Sequence, residues 1–252
     1  MVIAHRGASF YAPENTMASF ELAAKQGAQA IELDVKLTRD GHIVAMHDRT
    51  VDRTTNGSGL VNSLTLAEIQ RLDAGSWKDD RFRHIPVPTL REILTGLADR
   101  LLFNIELTNY ASPTDKLPQA TIRLIRELNL EKRILISSFN PAALMRTYRL
   151  APGIPIGLLV HSGQPGILRW LLAGIIRHQA WHPSDGLVTS EHIVKRVHQT
   201  GRSINVWTVN QRSRMQALLD WGVDGIMTDD PKVLFEVMSS SEIVAQQVKV
   251  SG

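Results

Sequence analysis

Short apolar runs, many of them rich in β-branched residues, recur along this chain, and helical patterns separate most of them. Strand-like runs fall at residues 2–4, 30–35, 43–47, 101–107, 134–138, 156–160, 180–182, 204–209 and 225–228. Strands joined through helices pair in parallel, because the helix crosses back over the sheet before the next strand begins. At 252 residues, the predicted fold class is α/β, a TIM-type (β/α)8 barrel. Nine candidate strands compete for eight places, so one of them is accessory. The sequence leaves open which one.

Local signals punctuate the helices. Met17, Phe20 and Ala24 share one helix face behind Asn15 or Thr16 as cap, with Gly27 as the stop. Thr65 with Glu68, and Thr89 with Glu92, read as capping boxes. Two stretches break the alternation. Only residues 36–42, with Asp40-Gly41 as a turn, join the second and third runs, too few for a packed helix. Residues 50–86 form a polar, Gly-containing excursion longer than a usual barrel loop. A small insertion over one end of the barrel, serving as lid or substrate wall, is expected there. Residues 1–252 are expected to make a single domain, with a polar, flexible tail from about residue 239.

Composition narrows the partners. A net charge of +3 is too small to call for nucleic acid; a mildly basic, solvated surface accounts for it. The chain has no cysteine, which excludes disulfides, thiolate nucleophiles and Cys-ligated zinc. Its most apolar late stretch, 166–176, is interrupted by Arg169 and is too short to span a bilayer, so no stable membrane insertion is expected. No leader pattern precedes the first strand-like run, and the expected location is cytoplasmic. Nothing in the sequence bears on oligomeric state.

The chemistry collects at strand ends. His5 and Arg6 close the first run, Glu32 and Asp34 share one face of the second, His47 ends the third, and Glu106 lies near the end of the fourth. A barrel builds its active site from such ends. Three carboxylates on buried strands need a reason, because unpaired buried charge is costly. An all-oxygen donor set suits one hard divalent cation, Mg²⁺ or Ca²⁺ with Mn²⁺ as a further candidate, over zinc. Two histidines flanking the carboxylates suit acid/base work near neutral pH. Arg6 offers a planar cationic fork for phosphate oxygens. Together these features point to a metal-dependent phosphodiesterase site.

The ordered set His5-Arg6-Gly7, Pro13-Glu14-Asn15-Thr16, Glu32-Leu33-Asp34-Val35, Asp40-Gly41, His47-Asp48 and Asn104-Ile105-Glu106 resembles the glycerophosphodiester phosphodiesterases. So do Ser137-Ser138-Phe139, Trp207-Thr208-Val209-Asn210 and the closing run from Gly222 to Asp229. The resemblance implies a TIM-type barrel with a small insertion and hydrolysis of a small-molecule glycerophosphodiester, such as glycerophosphocholine or glycerophosphoethanolamine, to glycerol 3-phosphate and an alcohol. It further implies His5 and His47 as the acid/base pair, Glu32, Asp34 and Glu106 as metal ligands, Arg6 as a phosphate contact, and Phe139 and Trp207 as apolar walls. One position departs from the family pattern. Where a lysine usually follows the third metal carboxylate by two residues, this chain has Thr108, which can hydrogen-bond a phosphate oxygen but cannot neutralise it. Lys36, on the strand face of Glu32 and Asp34, is the residue placed to compensate. Two other readings stay open: a related barrel phospholipase with an aromatic rim drawn from Phe10, Tyr11, Trp77 and Tyr110, and a barrel that binds a phosphodiester without turnover.

Overall fold

A computed structural model describes residues 1–109, 114–164, 174 and 176–250, with side chains as far as residue 240; Tyr110 and most of the apolar stretch 166–176 lie outside the described residues. The strands are β1 (Val2–His5), β2 (Ala30–Leu37), β3 (Ile43–Ala45), β4 (Leu102–Leu107), β5 (Ile134–Ser138), β6 (Ile156–Val160), β7 (Ala180–Pro183), β8 (Ser203–Val206) and β9 (Gly225–Thr228). Eight of them pair in parallel in the order β1-β9-β8-β7-β6-β5-β4-β2, and β1 pairs with β2 to close the barrel. The ninth, β3, runs antiparallel to β2. It is the accessory strand, for the reason its short connection suggested: the turn at Gly41 (φ 83°) folds the chain straight back.

Alternation along each strand sorts the side chains into two populations. One face of β2 and β4 contributes Ile31, Leu33, Val35, Phe103, Ile105 and Leu107 to the main core against the helices. The other face carries Ala30, Glu32 and Asp34 on β2, and Asn104 and Glu106 on β4, into the barrel interior. Ile3, Ala30 and Met227 form a separate apolar floor, with Trp207 packed against it. The registers His5↔Glu32 and Asp34↔Glu106 then bring the chemical residues to one level above that floor.

The helices form where their caps and spacing direct. Thr16 caps Met17–Lys25 and exchanges hydrogen bonds with Ser19, while Gly27 (φ 87°) turns the chain out. Helix Leu90–Leu97 begins at the Thr89–Glu92 capping box and buries Leu90, Ile93, Leu94 and Leu97, a 3.6-residue stripe against the sheet. Helix Pro231–Val250 closes the fold and continues through the residues expected to fray. No described helix is long and apolar enough to cross a membrane.

The excursion after β3 builds a small core of its own. Val51, Val61, Ile69 and Ala74 pack with Val44, Met46 and Val87, and Thr65–Glu68 forms the expected capping box. Two cations fasten the excursion to the turn after β1: Lys78 Nζ donates to Ser9 O at 2.8 Å and Arg81 to Tyr11 O at 3.2 Å. Ile69, fully buried in this cluster, is a test of its contribution. Ile69→Ala is expected to lower the unfolding free energy by about 2–5 kcal/mol in urea titration. A change under about 0.5 kcal/mol, the usual range for surface substitutions, would show that the small core contributes nothing.

Candidate active site

The turn after β1 organises the site. Arg6 (φ 57°) and Gly7 (φ 84°) both adopt left-handed backbone. A side chain at residue 7 would also meet Ser19, whose Oγ would lie 2.4 Å from an added Cβ, so glycine is required twice over. This turn aims the Arg6 amide at Glu32, donating to its carbonyl at 3.0 Å and to Oε2 at 3.1 Å. The chain then returns through Asn15, whose amide Nδ2 donates to Asp34 Oδ2 at 2.9 Å. Asn15 Oδ1 in turn accepts from the Asp34 backbone at 3.2 Å. The run Glu14-Asn15-Thr16 thereby does three separate things: Glu14 holds Arg6, Asn15 holds Asp34, and Thr16 caps the helix.

Glu32, Asp34 and Glu106 converge as expected. Each offers a ligand atom within 4.8 Å of the others, and all three are buried. Burial first, then repulsion from Asp34 and Glu106, pushes the Glu32 carboxyl well above the ordinary range, with the Arg6 charge opposing. Glu32 Oε1 is buried with no hydrogen-bond partner among the described residues. An orphaned acceptor inside an all-oxygen cluster is what a divalent cation would satisfy, so the residues fit one. Arg6 sits closer to these acids than a free phosphate fork would. Its Nη1 donates to Glu14 at 2.9 Å, and its Nε lies 3.1 Å from Asp34 Oδ2, near enough to pair charge but misaligned for a hydrogen bond. Burial works against the Arg6 charge, yet Asp34, Glu14 and Glu32 outweigh it and raise the pKa.

The two histidines are oriented alike. His5 Nδ1 lies 2.7 Å from Asp229 Oδ1, and its Nε2 lies 4.0 Å from Glu32 Oε2. His47 Nδ1 lies 2.6 Å from Asp48 Oδ1. An ionised carboxylate only accepts, so each Nδ1 carries the proton and each Nε2 is left for other partners. Burial alone would raise Asp229, but hydrogen bonds from His5, Asn210 and Ser9 hold it down at about 2. Asp48 is held low chiefly by hydrogen bonds from Arg53, against partial burial. Arg53 also forks onto both oxygens of Glu14, at 2.8 Å each. Ion pairs thus run from Arg6 through Glu14 and Arg53 to Asp48, which accepts a hydrogen bond from His47.

The remaining expected positions divide. Phe139 and Trp207 meet edge to face at 5.4 Å, and Trp207 Nε1 donates to His182 O at 2.8 Å, a rigid aromatic pair suited to be a wall. Thr108 is differently placed from the expectation of a phosphate hydrogen bond. Its hydroxyl donates to Val35 O at 2.8 Å and accepts from Lys36 Nζ at 2.7 Å, which leaves it no proton for a ligand. Asp229, Asp48, Glu14 and Asn210 all lie inside the sequence motifs, but the motifs alone did not reveal what these side chains hold, and sequence reasoning passed over Arg53. The signal available for Asp229 was its place just past β9, the same strand-end rule that singled out the other acids.

The carboxylate cluster has a thermodynamic signature. Above ordinary glutamate values, near 4.5, the folded cation-free protein keeps a proton on Glu32 that the unfolded chain has lost. Glu32 therefore lowers stability as pH rises through that window. Glu32→Gln is expected to raise the melting temperature in EDTA at pH 7–8 relative to the wild type, and to show none of the further rise expected of the wild type when a divalent cation is added. A variant that still responds fully to the cation would remove Glu32 from the ligand set.

Comparison with known proteins agrees with this geometry. The family model described as the glycerophosphoryl diester phosphodiesterase family matches residues 5–233. A glycerophosphodiester phosphodiesterase of Caldanaerobacter subterraneus is 41% identical over 239 residues, covering 94% of this chain and 97% of its own. A glycerophosphodiester phosphodiesterase of Bacillus subtilis is 34% identical, covering 94% and 86%. Among solved structures, an Oleispira antarctica phosphodiesterase in complex with the product sn-glycerol-3-phosphate superposes with a TM-score of 0.85 at 31% identity, covering 95% of this chain and 96% of that one. By sequence and by fold alike, the chain belongs to the glycerophosphoryl diester phosphodiesterase family.

Proposed function

We propose that this protein hydrolyses small glycerophosphodiesters, such as glycerophosphocholine or glycerophosphoethanolamine, to glycerol 3-phosphate and an alcohol. The observation that carries the reading is the pairing of a buried three-carboxylate cluster with two histidines, each held by a carboxylate at Nδ1. The sn-glycerol-3-phosphate bound by the Oleispira antarctica relative supports the product assignment. In this reading residues 1–252 act as one catalytic domain, and the excursion at 50–86 walls the site.

Glu32, Asp34 and Glu106 would hold one divalent cation, Mg²⁺ or Ca²⁺ with Mn²⁺ as a further candidate. When bound, the cation supplies charge stabilisation to phosphate oxygens and makes a neighbouring hydroxyl more acidic. The protein's own residues move the protons. One histidine, neutral at Nε2, takes the proton of the glycerol hydroxyl adjacent to the ester as that oxygen attacks phosphorus. The other, protonated, gives its proton to the departing alkoxide, leaving a cyclic phosphate. Water then opens the ring with the two roles exchanged. Asp229 and Asp48 fix each ring's tautomer and stabilise its cationic form. Arg6 holds the cluster together, and Phe139 with Trp207 shelters the glycerol carbons.

The test is release of glycerol 3-phosphate from glycerophosphocholine with Mg²⁺, Mn²⁺ or Ca²⁺, with and without chelator. Turnover is expected to require the cation and to follow a bell-shaped pH profile. His5→Ala and His47→Ala should each flatten one limb and cut turnover by about two or more orders of magnitude. Wild-type turnover in either variant would make that histidine structural. The phospholipase reading rests on Phe10, 62% exposed, and Trp77, 39% exposed, whereas Tyr11 is tied to Asp230 by its hydroxyl. Cleavage of lysophospholipid with no action on glycerophosphocholine would favour that reading.

A further inference from the structure

Lys36 is an ammonium whose surroundings a purely structural role does not explain. Alternation along β2 places it on the face of Glu32 and Asp34, and the register Asp34↔Glu106 continues to bring residue 36 beside residue 108. Its Nζ donates to Thr108 O at 3.0 Å and to Thr108 Oγ1 at 2.7 Å. Both acceptors are neutral. Thr108 presents a lone pair there because its own proton is committed to Val35 O, at 2.8 Å. An ammonium has three donors, so one remains.

The neighbouring cations are satisfied differently. Arg6 rests on Glu14 and Asp34, and Arg53 on Glu14 and Asp48. Among the described residues no carboxylate is in ion-pair contact with Lys36, whose hydrogen bonds go to the two oxygens of Thr108; the charges of Asp34, Glu106, Asp48 and Asp115 reach it only from beyond contact. A half-buried ammonium held without a contact counter-ion is costly unless an anion joins it. A strut between β2 and β4 would need only a neutral donor.

We propose that Lys36 is a phosphate-binding residue of this site, its ammonium contacting the phosphate of substrate and product, with Thr108 as the clamp that aims it. The proposal rests on the glycerophosphodiesterase reading and adds a cation to it beside Arg6, whose Nη1 and Nε face Glu14 and Asp34. Residue 108 cannot fill the role with its own hydroxyl. A lysine there would place its stem at the present Oγ1, within a hydrogen bond of where the Lys36 ammonium now sits.

The experiment measures binding of sn-glycerol 3-phosphate by calorimetry in the presence of Mg²⁺, beside kcat and KM on glycerophosphocholine. Lys36→Met is expected to weaken product binding by at least ~10-fold, the loss of one charge-assisted hydrogen bond, and to lower kcat/KM at least as much. The melting temperature should change little. Lys36→Gln, whose amide can still reach Thr108, covers the case in which Met disturbs the strand pair, and should show the same loss. The double variant Lys36→Met with Thr108→Lys returns the cation from the opposite strand and should recover binding to within a few-fold of wild type. The proposal is overturned if Lys36→Gln binds sn-glycerol 3-phosphate as tightly as wild type, or if the double variant stays as weak as Lys36→Met. A wild-type protein that neither binds this ligand nor cleaves glycerophosphocholine would fail the glycerophosphodiesterase reading itself.

Discussion

Three buried carboxylates share one small space, and burial with repulsion from Asp34 and Glu106 pushes the Glu32 carboxyl well above its ordinary range. With ligand oxygens within 4.8 Å of one another, each pair of charges repels by roughly 3 kcal/mol even at an effective dielectric constant of 20. Burial adds to that cost. Much of the surrounding structure answers it. The left-handed turn at Arg6-Gly7 brings a backbone N–H and a guanidinium over these acids. Asn15 reaches back to hold Asp34 in place, and Glu14 anchors the guanidinium. What is left over is the orphaned Glu32 Oε1, and its cost is the kind that a binding site carries and a structural cluster avoids.

A second layer of charge ties the inserted excursion to this cluster. Arg53, from the excursion, grips both Glu14 and Asp48. One side chain thereby supports the partner of Arg6 and the partner of His47 at once. Arg53 is partly exposed, so its ion pairs contribute less to stability than their number suggests. Their value is geometric: two planar forks fix two carboxylates, and those fix a histidine ring and a guanidinium. Lys78 and Arg81 fasten the same excursion to the backbone beside His5. The excursion is thereby tied to the turn after β1 and, through Asp48, to His47.

The barrel interior keeps polar and apolar layers apart. The floor is Ile3, Ala30 and Met227, and the acids stand beyond it on β2 and β4. Trp207 packs against that floor and meets Phe139 edge to face.

The barrel was legible in the chain itself, because alternation and capping are local. Periods of 2 and 3.6 residues, the Thr65 and Thr89 boxes and the strand-end acids all act within a few residues, and the strands and helices form where those patterns lie. Carboxylates on one face of β2 are likewise a local consequence of pleating. The accessory strand was half legible: the short 36–42 link forbade a helix, but only ring closure of β1 on β2 and β9 excluded β3 from the barrel. The meeting of Lys36 with Thr108, 72 residues apart, and of His5 with Asp229, 224 apart, belongs to tertiary structure alone. Such contacts depend on the stagger between strands and the paths of loops, and pairwise register is a property of the closed sheet, which no single segment carries.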